Sequence, residues 1–554
     1  MKEIQLSFDA ELSPLKKMNA GNISCFYEAG NLRYIKSRDT EILRRIYSAV
    51  RDENWETIPA TISGEKIEEY ENGFSIKYTA LYKTGAIHYR ADFSIEGNTD
   101  NSIVFSMKGE ALSNFKKNRI GLCVLHPIKE YAGRRVSITQ TDGSIYKTVF
   151  PELISPHQPF LNIRQMNWAL DNGIDVQLNF EGDIFETEDQ RNWTDSSYKT
   201  YSTPLDLPFP ALVKAGEKIE QRITLHVTGN IKQGENNTTP RIYEEKISFP
   251  KIGYCRSNNQ QSLTNEHVEI LNQIPFDHYR VELQLYESSW QNVLLTAATE
   301  ARLLQTKLEL VTFFDDEYEQ IFDEFILHLE PVKDFISCIL LLHRNSKITP
   351  QVLMQKGYAI IKQRFPVIEI GYGTDGHFAE LNRNLPQLIS YDFVSFSLNP
   401  QAHAGDTRTL FENLERQADT VKTLKAGIGS KEIRVSPITL KKRKHSGAVS
   451  TTEQSMTIAD ERQHTVFTAF WTLRCIQNLS EAGHVTFYEL MGDAGIISEK
   501  KPSPVYDVLK MIKKFDAKWI IKRYEGQNLA TDNVIVENAN GERMIFKCFI
   551  VVEA

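Results

Sequence analysis

Through about the first 230 residues, apolar and polar positions alternate with the period of two that half-buried β-strands show. Turn-forming pairs such as Gly97-Asn98 and Asp142-Gly143 separate the alternating segments. Many short strands with few helical stretches are typical of a sandwich, so the pattern predicts a large antiparallel β-sandwich domain over residues 1–230. The clearest predicted strands are 73–84, 87–96, 102–112, 119–125, 135–139, 176–180 and 219–227.

A polar stretch with Gly and Pro at 229–245 predicts a linker, and beyond it the period changes. Short apolar strands then alternate with helix-length amphipathic stretches. Eight strand-then-helix repeats in a segment of this length predict a TIM-like (β/α)8 barrel over residues 246–498. The predicted strands are 251–256, 278–285, 307–314, 335–343, 367–373, 393–399, 432–438 and 484–490, and the predicted helices include 290–304, 316–329, 410–424 and 466–481.

Residues 499–554 predict a small C-terminal extension. The segment DVLKMIKKF, which begins at Asp507, is amphipathic, and two alternating segments at 533–537 and 542–552 follow it. We expect this helix and these strands to pack on the sandwich or on the barrel. The predicted fold class is therefore α/β plus β, with a barrel between two β-containing parts.

Several predicted barrel strands carry charged residues, although strands of parallel sheets are usually apolar throughout. Arg280 and Glu282 alternate with valine and leucine, and Glu309 and Arg434 alternate with apolar residues in their own strands. Successive side chains point to opposite faces of a strand, so the apolar set should face the helices and the charged set the barrel axis. Buried charges persist when they are paired, which predicts a charged layer inside the barrel, either structural or functional. Gln284, Lys307 and Glu369 are assigned to the same face.

The size and charge of the chain limit the classes of protein to which it could belong. With 554 residues it is long enough for two or three domains, and its net charge of −8 argues against a general nucleic-acid-binding protein. The longest apolar run, near Phe335, is too short to span a bilayer, and the N-terminus lacks the apolar segment of a signal peptide. The six cysteines never form a CxxC pair. These features predict free thiols, a cytoplasmic location, and neither nucleic-acid nor membrane partners.

The stretch richest in chemistry is 181–205, EGDIFETEDQRNWTDSSYKTYSTPL. It mixes carboxylates, a guanidinium, an ammonium and an amide with aromatic rings, and it follows neither strand nor helix periodicity. Aromatic faces and polar groups together suit a small polyhydroxylated ligand. A buried salt-bridge network that locks a loop is the structural alternative. The candidate residues are Glu186, Asp189, Arg191, Asn192, Trp193, Lys199 and Tyr201.

Active sites of TIM barrels lie at the C-terminal ends of the strands, and those ends are polar in this chain. Glu489 lies at the end of predicted strand eight, where an acid has little structural reason to lie, and is the best single carboxylate of the barrel. His403 follows strand six, two residues after Gln401, and is either structural or catalytic. The other candidates near strand ends are Arg256, Asn382, Arg383 and Tyr488.

Several familiar motifs are missing from the sequence, namely the G-x-S-x-G elbow, the GxGxxG loop, the Walker A loop and HExxH. Serine-triad chemistry and nucleotide cofactors therefore lose support, and no cofactor is predicted. No pair among His343, His377 and His403 has ligand-like spacing, so no metal is predicted. Predicted strands four and seven end without a carboxylate, which weakens a retaining glycosidase. A glycoside hydrolase acting on plant glycans and a non-catalytic carbohydrate-binding protein stay as alternatives.

Seven segments run through the chain in order: GNLRYI (30–35), EILRRIYSAVRDENWETIP (41–59), the stretch 180–205, GTDGHFAELNRN (373–384), FSLNPQAHA (396–404), VSPITL (435–440) and SPVYDVL (503–509). Together they resemble the D-apionate lactonase (D-apionolactonase) family of bacterial sugar-catabolic enzymes. The resemblance implies hydrolysis of D-apionolactone to D-apionate, a step in degrading the branched sugar apiose, with a small-molecule sugar lactone as the partner. Residues 441–456 are looser and are interpreted as a variable loop.

This reaction needs a base for the attacking water, an acid for the leaving ring oxygen and donors for the carbonyl oxyanion. No covalent nucleophile is required. The acid–base pair is hypothesised to come from Glu186, Glu282 and Glu489.

The remaining roles of the implied site go to cations, amides and aromatic rings. Arg191, Lys199 or His403 would stabilise the oxyanion and the product carboxylate. A single shared site requires residues 181–205 to cover the C-terminal mouth of the barrel. The groups expected to hold hydroxyls and ring faces are Asn54, Trp55, Asn192, Trp193 and Tyr201.

Overall fold

The computed structural model of the protein describes residues 2–9, 12–229, 242–257, 260–443, 459–498, 501–525, 528–529 and 533–551. The chain divides into two compact units. The β unit consists of Leu12–Arg191 and Ser196–Thr239, and the barrel unit consists of Met1–Glu11, Asn192–Asp195 and Pro240–Ala554. The four residues Asn192–Asp195 thus belong to the barrel unit, although both of their neighbours along the chain belong to the β unit.

Antiparallel strands make up almost all of the β unit, as the alternating sequence predicts. The first strand of the chain, β1 (Lys2–Asp9), lies in the barrel unit. A short helix, α1 (Ile128–Tyr131), follows β10. The strands of the β unit are β2 (Lys16–Ala20), β3 (Ile23–Glu28), β4 (Asn31–Ser37), β5 (Thr40–Asp52), β6 (Ala60–Tyr70), β7 (Gly73–Thr84), β8 (Ile87–Asn98), β9 (Ser102–Ala111), β10 (Phe115–Pro127), β11 (Arg135–Gln140), β12 (Ile145–Val149), β13 (Phe160–Leu170), β14 (Ile174–Glu181), β15 (Phe185–Asp189), β16 (Ser197–Tyr201), β17 (Ala211–Val213) and β18 (Lys218–Thr228).

These strands pair into one large sheet around a main apolar core. In β8 every second side chain is buried, and Phe93 lies opposite Tyr78 of β7 and Met107 of β9. The alternation therefore sends one set of side chains into the core and the other set to the opposite face of the sheet. The apolar side chains removed from water supply the main favourable free energy of this unit.

Eight parallel strands form a closed barrel, because β20 pairs with both β21 and β27. The predicted α/β-plus-β fold class, with its TIM-like barrel, is confirmed. After β19 (Ile242–Ser248), the barrel strands are β20 (Lys251–Cys255), β21 (His278–Gln284), β22 (Lys307–Phe314), β23 (Ile336–His343), β24 (Glu369–Gly373), β25 (Phe393–Leu398), β26 (Glu432–Ile438) and β27 (Gly483–Met491). The helices between them are α2 (Asn265–Leu271), α3 (Trp290–Leu303), α4 (Tyr318–Leu329), α5 (Gln351–Arg364), α6 (Phe378–Arg383), α7 (Thr407–Glu412), α8 (Ala418–Ile428) and α9 (Val466–Leu479).

The prediction of one continuous helix over 410–424 is wrong. Helix α7 ends at Glu412, a 3-10 turn covers Asn413–Arg416, and α8 begins at Ala418. Asn413 is buried at the break, and its amide donates to Pro400 O at 3.0 Å. Hydrophobic periodicity does not reveal this hydrogen bond, because the bond depends on the tertiary structure. The bond competes with the regular helix at Asn413.

The barrel interior contains the predicted charged layer. Arg280 is fully buried, with Nη1 3.5 Å from Glu309 Oε1, and Arg434 Nη1 lies 3.9 Å from Glu309 Oε2. Arg434 also pairs with Glu369 at 2.5 Å. Although burial disfavours the charged form, Arg280 and Arg434 hold the pKa of Glu309 below its usual value. Pairing thus keeps these charges stable inside the barrel.

Lys307 does not join this layer, contrary to the prediction. It occupies the exposed first position of β22, and its ammonium donates to the Asp334 carbonyl oxygen. Lysine favours this arrangement because its flexible stem lets the charged end reach water. The period-two rule assigns a face to each residue but not its depth along the barrel axis.

The C-terminal extension completes the barrel unit with a second sheet. In this sheet β1 pairs in parallel with β33, and β19 pairs with β30. Helix α10 packs against α9, and Tyr506 of α10 donates to Ile270 O at 2.9 Å. In the described parts of the chain, no helix combines the length and apolar character needed to cross a membrane. Two short strands, β28 (Gly495–Ser498) and β29 (Lys501–Pro502), continue the barrel sheet from β27. The further elements of the extension are α10 (Pro504–Phe515), β30 (Ala517–Glu525), β31 (Asn528–Leu529), β32 (Val534–Asn538) and β33 (Arg543–Val551).

The charged layer yields a stability prediction. Replacing Arg280 with Met removes a guanidinium that lies between three buried carboxylates, and should lower the free energy of unfolding by about 3–5 kcal/mol. Lys333→Met is the matched control, because its 2.7 Å pair with Glu330 is solvent-exposed and its loss should leave the free energy of unfolding almost unchanged. Urea unfolding followed by circular dichroism measures both changes. Equal losses in the two variants would contradict the account.

Candidate functional site

A cluster of two carboxylates and two guanidinium groups lies inside the barrel toward its C-terminal end. Glu282 comes from β21 and Asp375 from the loop after β24. Arg280 Nη2 lies 2.6 Å from Asp375 Oδ1 and 3.1 Å from Glu282 Oε1. Arg443, which follows β26, contacts the same two carboxylate oxygens, at 2.8 Å from Asp375 and 2.5 Å from Glu282. Each carboxylate is therefore held by both arginines.

This cluster is balanced in charge and buried. Burial disfavours the charged guanidinium of Arg443, but Asp375 and Glu282 raise its pKa above the ordinary value. By the same attraction the arginines favour the ionised forms of the two carboxylates. Glu282, predicted from the sequence to exchange protons, forms ion pairs with both arginines.

Glu489 differs from these carboxylates. It lies at the end of β27 and is half-buried. Burial raises the pKa of its carboxyl, and the charge of Glu282 adds to the rise, while the Ser257 hydroxyl and Arg443 oppose it. A carboxyl group with a raised pKa is a stronger base when ionised than an ordinary carboxylate, which suits it to accept a proton in catalysis.

Glu489 and Arg443 line a common pocket, which encloses about 490 Å³ including space open to solvent. Arg256 and Asp460 also line it. Arg256 is held by Glu300 at 2.9 Å, and Asp460 is held by Arg462 at 2.7 Å. The pocket is therefore polar and bounded by charged groups whose positions are set by ion pairs.

The residues Asn192–Asp195 lie among the loops of the barrel unit. Thr194 Oγ1 donates to Asn399 O at 2.6 Å, just beyond β25. Asn382 Nδ2 donates to Asn192 Oδ1 at 2.9 Å. These hydrogen bonds hold the segment Asn192–Asp195 at the C-terminal ends of the barrel strands. The segment places an aromatic ring and a carboxylate there.

Asp195 and His403 form a hydrogen-bonded pair. Asp195 Oδ2 lies 2.5 Å from His403 Nδ1, and Asp195 Oδ1 accepts from Asn413 Nδ2 at 2.9 Å. The buried carboxylate is thus oriented by one partner while it orients the imidazole of the other. A histidine held in this way at Nδ1 keeps its Nε2 in a defined position for proton transfer.

Trp193 packs against this pair. Its ring centroid lies 6.2 Å from that of His403 and 5.1 Å from that of His377, both edge to face. The guanidinium carbon of Arg383 lies 5.6 Å from the same indole ring. Burial lowers the pKa of His377 to about 4, so this imidazole is neutral at physiological pH.

Two further sequence candidates at the strand ends are held by other groups. Gln401 Nε2 donates to Leu440 O at 2.8 Å and to Asp460 Oδ2 at 2.7 Å, which anchors its loop. Tyr488 is fully buried, and its hydroxyl shares a 2.8 Å hydrogen bond with Thr472 of α9. Tyr488 also lines the pocket that contains Glu489 and Arg443, and its binding of substrate stays a prediction.

Asp189 and Arg191, which the sequence predicts to bind substrate, form a buried ion pair. Their side chains are buried in the β unit and joined at 2.7 Å. Arg191 donates further to the carbonyl oxygens of Pro151 and Glu152, each at 2.9 Å. This is the salt-bridge network that the sequence left open as an alternative, and it locks neighbouring loops of the β unit.

The other candidates from the β unit lie on the sheet face opposite its core. Tyr201 donates to Glu186 Oε1 at 2.5 Å, and burial raises the pKa of Glu186. Lys199 pairs with Glu188 at 2.5 Å and lies 4.8 Å from the centre of the Tyr201 ring. Asn54 and Trp55 are exposed in the turn after β5.

Asp375, Arg443 and Asp195 were missed as site residues by sequence reasoning. Asp375 directly follows a barrel strand, so the strand-end rule could have found it. Asp195 lies within the stretch 181–205, but its partner His403 is distant in sequence. Arg443 is one cation in the run KKRKH, and nothing in the sequence separates it from its neighbours. Within the described ranges, no group of three or more His, Cys, Asp or Glu side chains is placed to hold a metal ion.

Comparison with known proteins gives a consistent family match. Models described as "D-apionate lactonase, N-terminal domain" and "D-apionate lactonase, TIM barrel domain" match residues 4–230 and 252–517. A D-apionate lactonase from Brucella anthropi is 27% identical over 530 residues, which cover 89% of this chain and 86% of that protein.

Two solved structures show a distant likeness to this chain. A family 51 alpha-L-arabinofuranosidase from Bifidobacterium longum is 9% identical, with a TM-score of 0.37 over 55% of this chain and 81% of that chain. A β-glucuronidase from Ruminococcus gnavus is 8% identical, with a TM-score of 0.33 over 91% of this chain and 74% of that chain. Scores this low carry no argument about fold or function.

The buried histidines predict how stability depends on pH. Burial lowers the pKa of His377 to about 4 and those of His126 and His278 to about 3, each from 6.5. Between these values the unfolded chain binds more protons, so stability is complete above about pH 6.5 and falls as the pH falls. His377→Gln should make the fall from pH 7 to pH 5 smaller by about 2 kcal/mol, measured by urea unfolding at both pH values. An unchanged pH dependence would show that His377 titrates normally.

Proposed function

The chain belongs to the D-apionate lactonase family, and from that membership we propose that it hydrolyses D-apionolactone to D-apionate. Membership makes the protein a hydrolase of a sugar lactone, which is a carboxylic ester hydrolase. The choice of D-apionolactone follows the name of the relative from Brucella anthropi and the family resemblance of the motifs. The pocket at the barrel mouth is the proposed site of reaction.

The observation that carries this proposal is the contrast between Glu489, which lines the pocket, and Glu282, which is ion-paired with the pocket residue Arg443. Glu282 is bound to two arginines, whereas the carboxyl of Glu489 has a raised pKa beside Arg443. Hydrolysis of a lactone needs a proton acceptor and a positive group for the carbonyl oxygen, and this pair offers both.

In the proposed mechanism, ionised Glu489 takes a proton from a water molecule, whose oxygen then attacks the lactone carbonyl carbon. The carbonyl oxygen gains negative charge in the tetrahedral intermediate, and Arg443 stabilises it. Glu282 and Asp375 act as positioning residues, because they hold the guanidinium in place before the substrate binds. When the intermediate collapses, the bond between the carbonyl carbon and the ring oxygen breaks.

The leaving ring oxygen needs a proton, and we assign this step to His403. The protonated imidazole donates from Nε2, while Asp195 at Nδ1 stabilises the imidazolium and fixes the orientation of the ring. The packing of Trp193 on His403 restricts the ring further. Asp195 is therefore a positioning residue that acts through His403.

Glu489→Gln tests the role of the base. The amide keeps the shape of the side chain but cannot accept a proton, so kcat should fall about a hundredfold or more with little change in KM. The exposed Glu287→Gln in the loop after β21 is the matched control and should keep full activity. Activity is measured as acid release from D-apionolactone. In the wild type, kcat/KM should fall at low pH as Glu489 becomes protonated, at a pH above its ordinary value of 4.5.

Two further activity measurements decide the class of reaction that the protein catalyses. Acid release in the presence of EDTA tests whether a metal assists, and aryl-glycosides test glycosidase chemistry. Cleavage of aryl-glycosides without acid release from the lactone would replace the proposed function. Full lactonase activity in Glu489→Gln would instead remove only the assignment of the base.

Asp195→Asn tests the proton donor separately. A neutral amide stabilises the imidazolium less than a carboxylate does, so the fall of kcat/KM on the alkaline side should move to lower pH, and kcat should drop about tenfold or more. Asp406→Asn, which retains the hydrogen-bonding oxygen that caps α7, should leave the profile unchanged. A lower kcat with an unshifted profile would indicate that Asp195 has only a structural role.

A further inference from the structure

Two aromatic rings of the β unit are exposed side by side. Trp55 is 39% exposed and Phe209 is 44% exposed, and their ring centroids lie 5.2 Å apart at an angle of 72°. Large exposed rings that touch one another form an open apolar surface of the kind that often marks a binding site. Neither ring has a role in the proposed reaction in the barrel.

The backbone holds Trp55 in a conformation that bulky residues rarely adopt. Its φ is 68°, in the left-handed region. The turn is rigid, because Asp52 Oδ1 accepts from the amides of Asn54 and Glu56, each at 2.8 Å, and Arg51 donates to Trp55 O at 2.9 Å. Two side chains thus stabilise a turn that presents a tryptophan to solvent.

A buried arginine lies against both rings. The guanidinium carbon of Arg119 is 5.3 Å from the Trp55 ring and 5.1 Å from the Phe209 ring, while the residue is only 5% exposed. Two of its donors are used by the carbonyl oxygens of Asn118 and Pro204. In the part of the chain that the structure describes, its Nε has no acceptor. A buried donor without a protein acceptor is free to donate to water or to a ligand group.

An acceptor without a donor lies in the neighbouring residue. Asn118 donates from Nδ2 to Glu53 O at 3.2 Å, whereas its buried Oδ1 has no donor among the described residues. The pairing of β10 with β5 shifts register between Lys117 and Arg119, so both residues lie at an irregularity of the strand. Such bulges redirect side chains and are frequent next to functional sites.

The charges around Arg119 limit what this site can bind. Burial lowers the pKa of Arg119, but Glu186, Asp183 and Glu188 are close enough to raise it in part. A carboxylate or phosphate ligand would be repelled by these acids. A neutral ligand with hydroxyl groups would not, and it could use an N–H donor and an amide oxygen at the same time.

We propose that the β unit carries a binding site for a neutral sugar at Trp55, Phe209, Arg119 and Asn118. A C–H face of the sugar stacks on the exposed indole ring of Trp55, with Phe209 bordering it. Arg119 Nε donates to one hydroxyl oxygen, and Asn118 Oδ1 accepts from another hydroxyl. Every residue of this site belongs to the β unit, and binding involves no proton transfer or covalent step.

The test is saturation-transfer NMR on the full-length protein, with the neutral pentose D-apiose as the probe. The wild type should transfer saturation to the C–H protons of the sugar. Trp55→Ala should reduce the transfer at least fivefold, and Arg119→Met should reduce it as well, because it removes the donor. Trp55→Phe, which keeps a ring, should retain more than half of the signal. Tyr70→Ala is the control, because Tyr70 is an exposed ring of the same unit at 51% exposure.

Further outcomes separate this site from the pocket of the barrel. Glu489→Gln should leave the transfer unchanged, and its loss in that variant would place the sugar in the barrel and overturn the proposal. No transfer in the wild type, or full transfer in Trp55→Ala, would also overturn it and leave Arg119 as a clamp on the Pro204 carbonyl. Thermal melting of each variant shows that a lost signal does not reflect unfolding. None of these results depends on whether the lactone is hydrolysed.

Discussion

Burial of Arg280 is the constraint on which the barrel unit depends. A fully buried guanidinium inside a parallel barrel is unfavourable unless carboxylates surround it, and Glu282, Glu309 and Asp375 do so. Arg434 extends the same network toward the other end of the axis through Glu309 and Glu369. The centre of the barrel is therefore an ion-pair network with a defined geometry, in place of an apolar core. Such a network stabilises only when every member is present, and this makes its geometry rigid.

The rigid network separates the tasks of the carboxylates near the barrel mouth. Glu282 and Asp375 serve two arginines at once, which favours their ionised forms and makes them poor proton acceptors. Glu489 has no comparable ion pair in the described structure, and burial raises the pKa of its carboxyl. Three acids close together thus take different roles because of their surroundings. The same network holds Arg443, the cation that the proposed oxyanion requires.

Most of the fold could be predicted because it is encoded in local periodicity. The strands β7, β22 and β26 have the predicted bounds, since alternation with a period of two is a property of neighbouring residues. The break at Asn413 and the exposure of Lys307 could not be predicted, because each depends on a contact distant in sequence or on depth along the barrel. The same holds for β1, which pairs with β33 at the other end of the chain.

The candidate site shows most clearly the difference between local sequence patterns and contacts between residues that are distant in sequence. Sequence reasoning proposed Glu489 and His403 from their places at strand ends, and the stretch 181–205 from its composition. It could not divide that stretch, in which Asp195 serves His403, Asp189 serves Arg191, and Glu186 accepts from Tyr201. Composition identifies groups able to bind sugars and move protons, but the partner of each group decides its role. Four consecutive residues of this stretch, Asn192–Asp195, belong to the barrel unit, while the residues on both sides belong to the β unit. Neighbouring residues of one sequence motif can therefore serve different units of the protein.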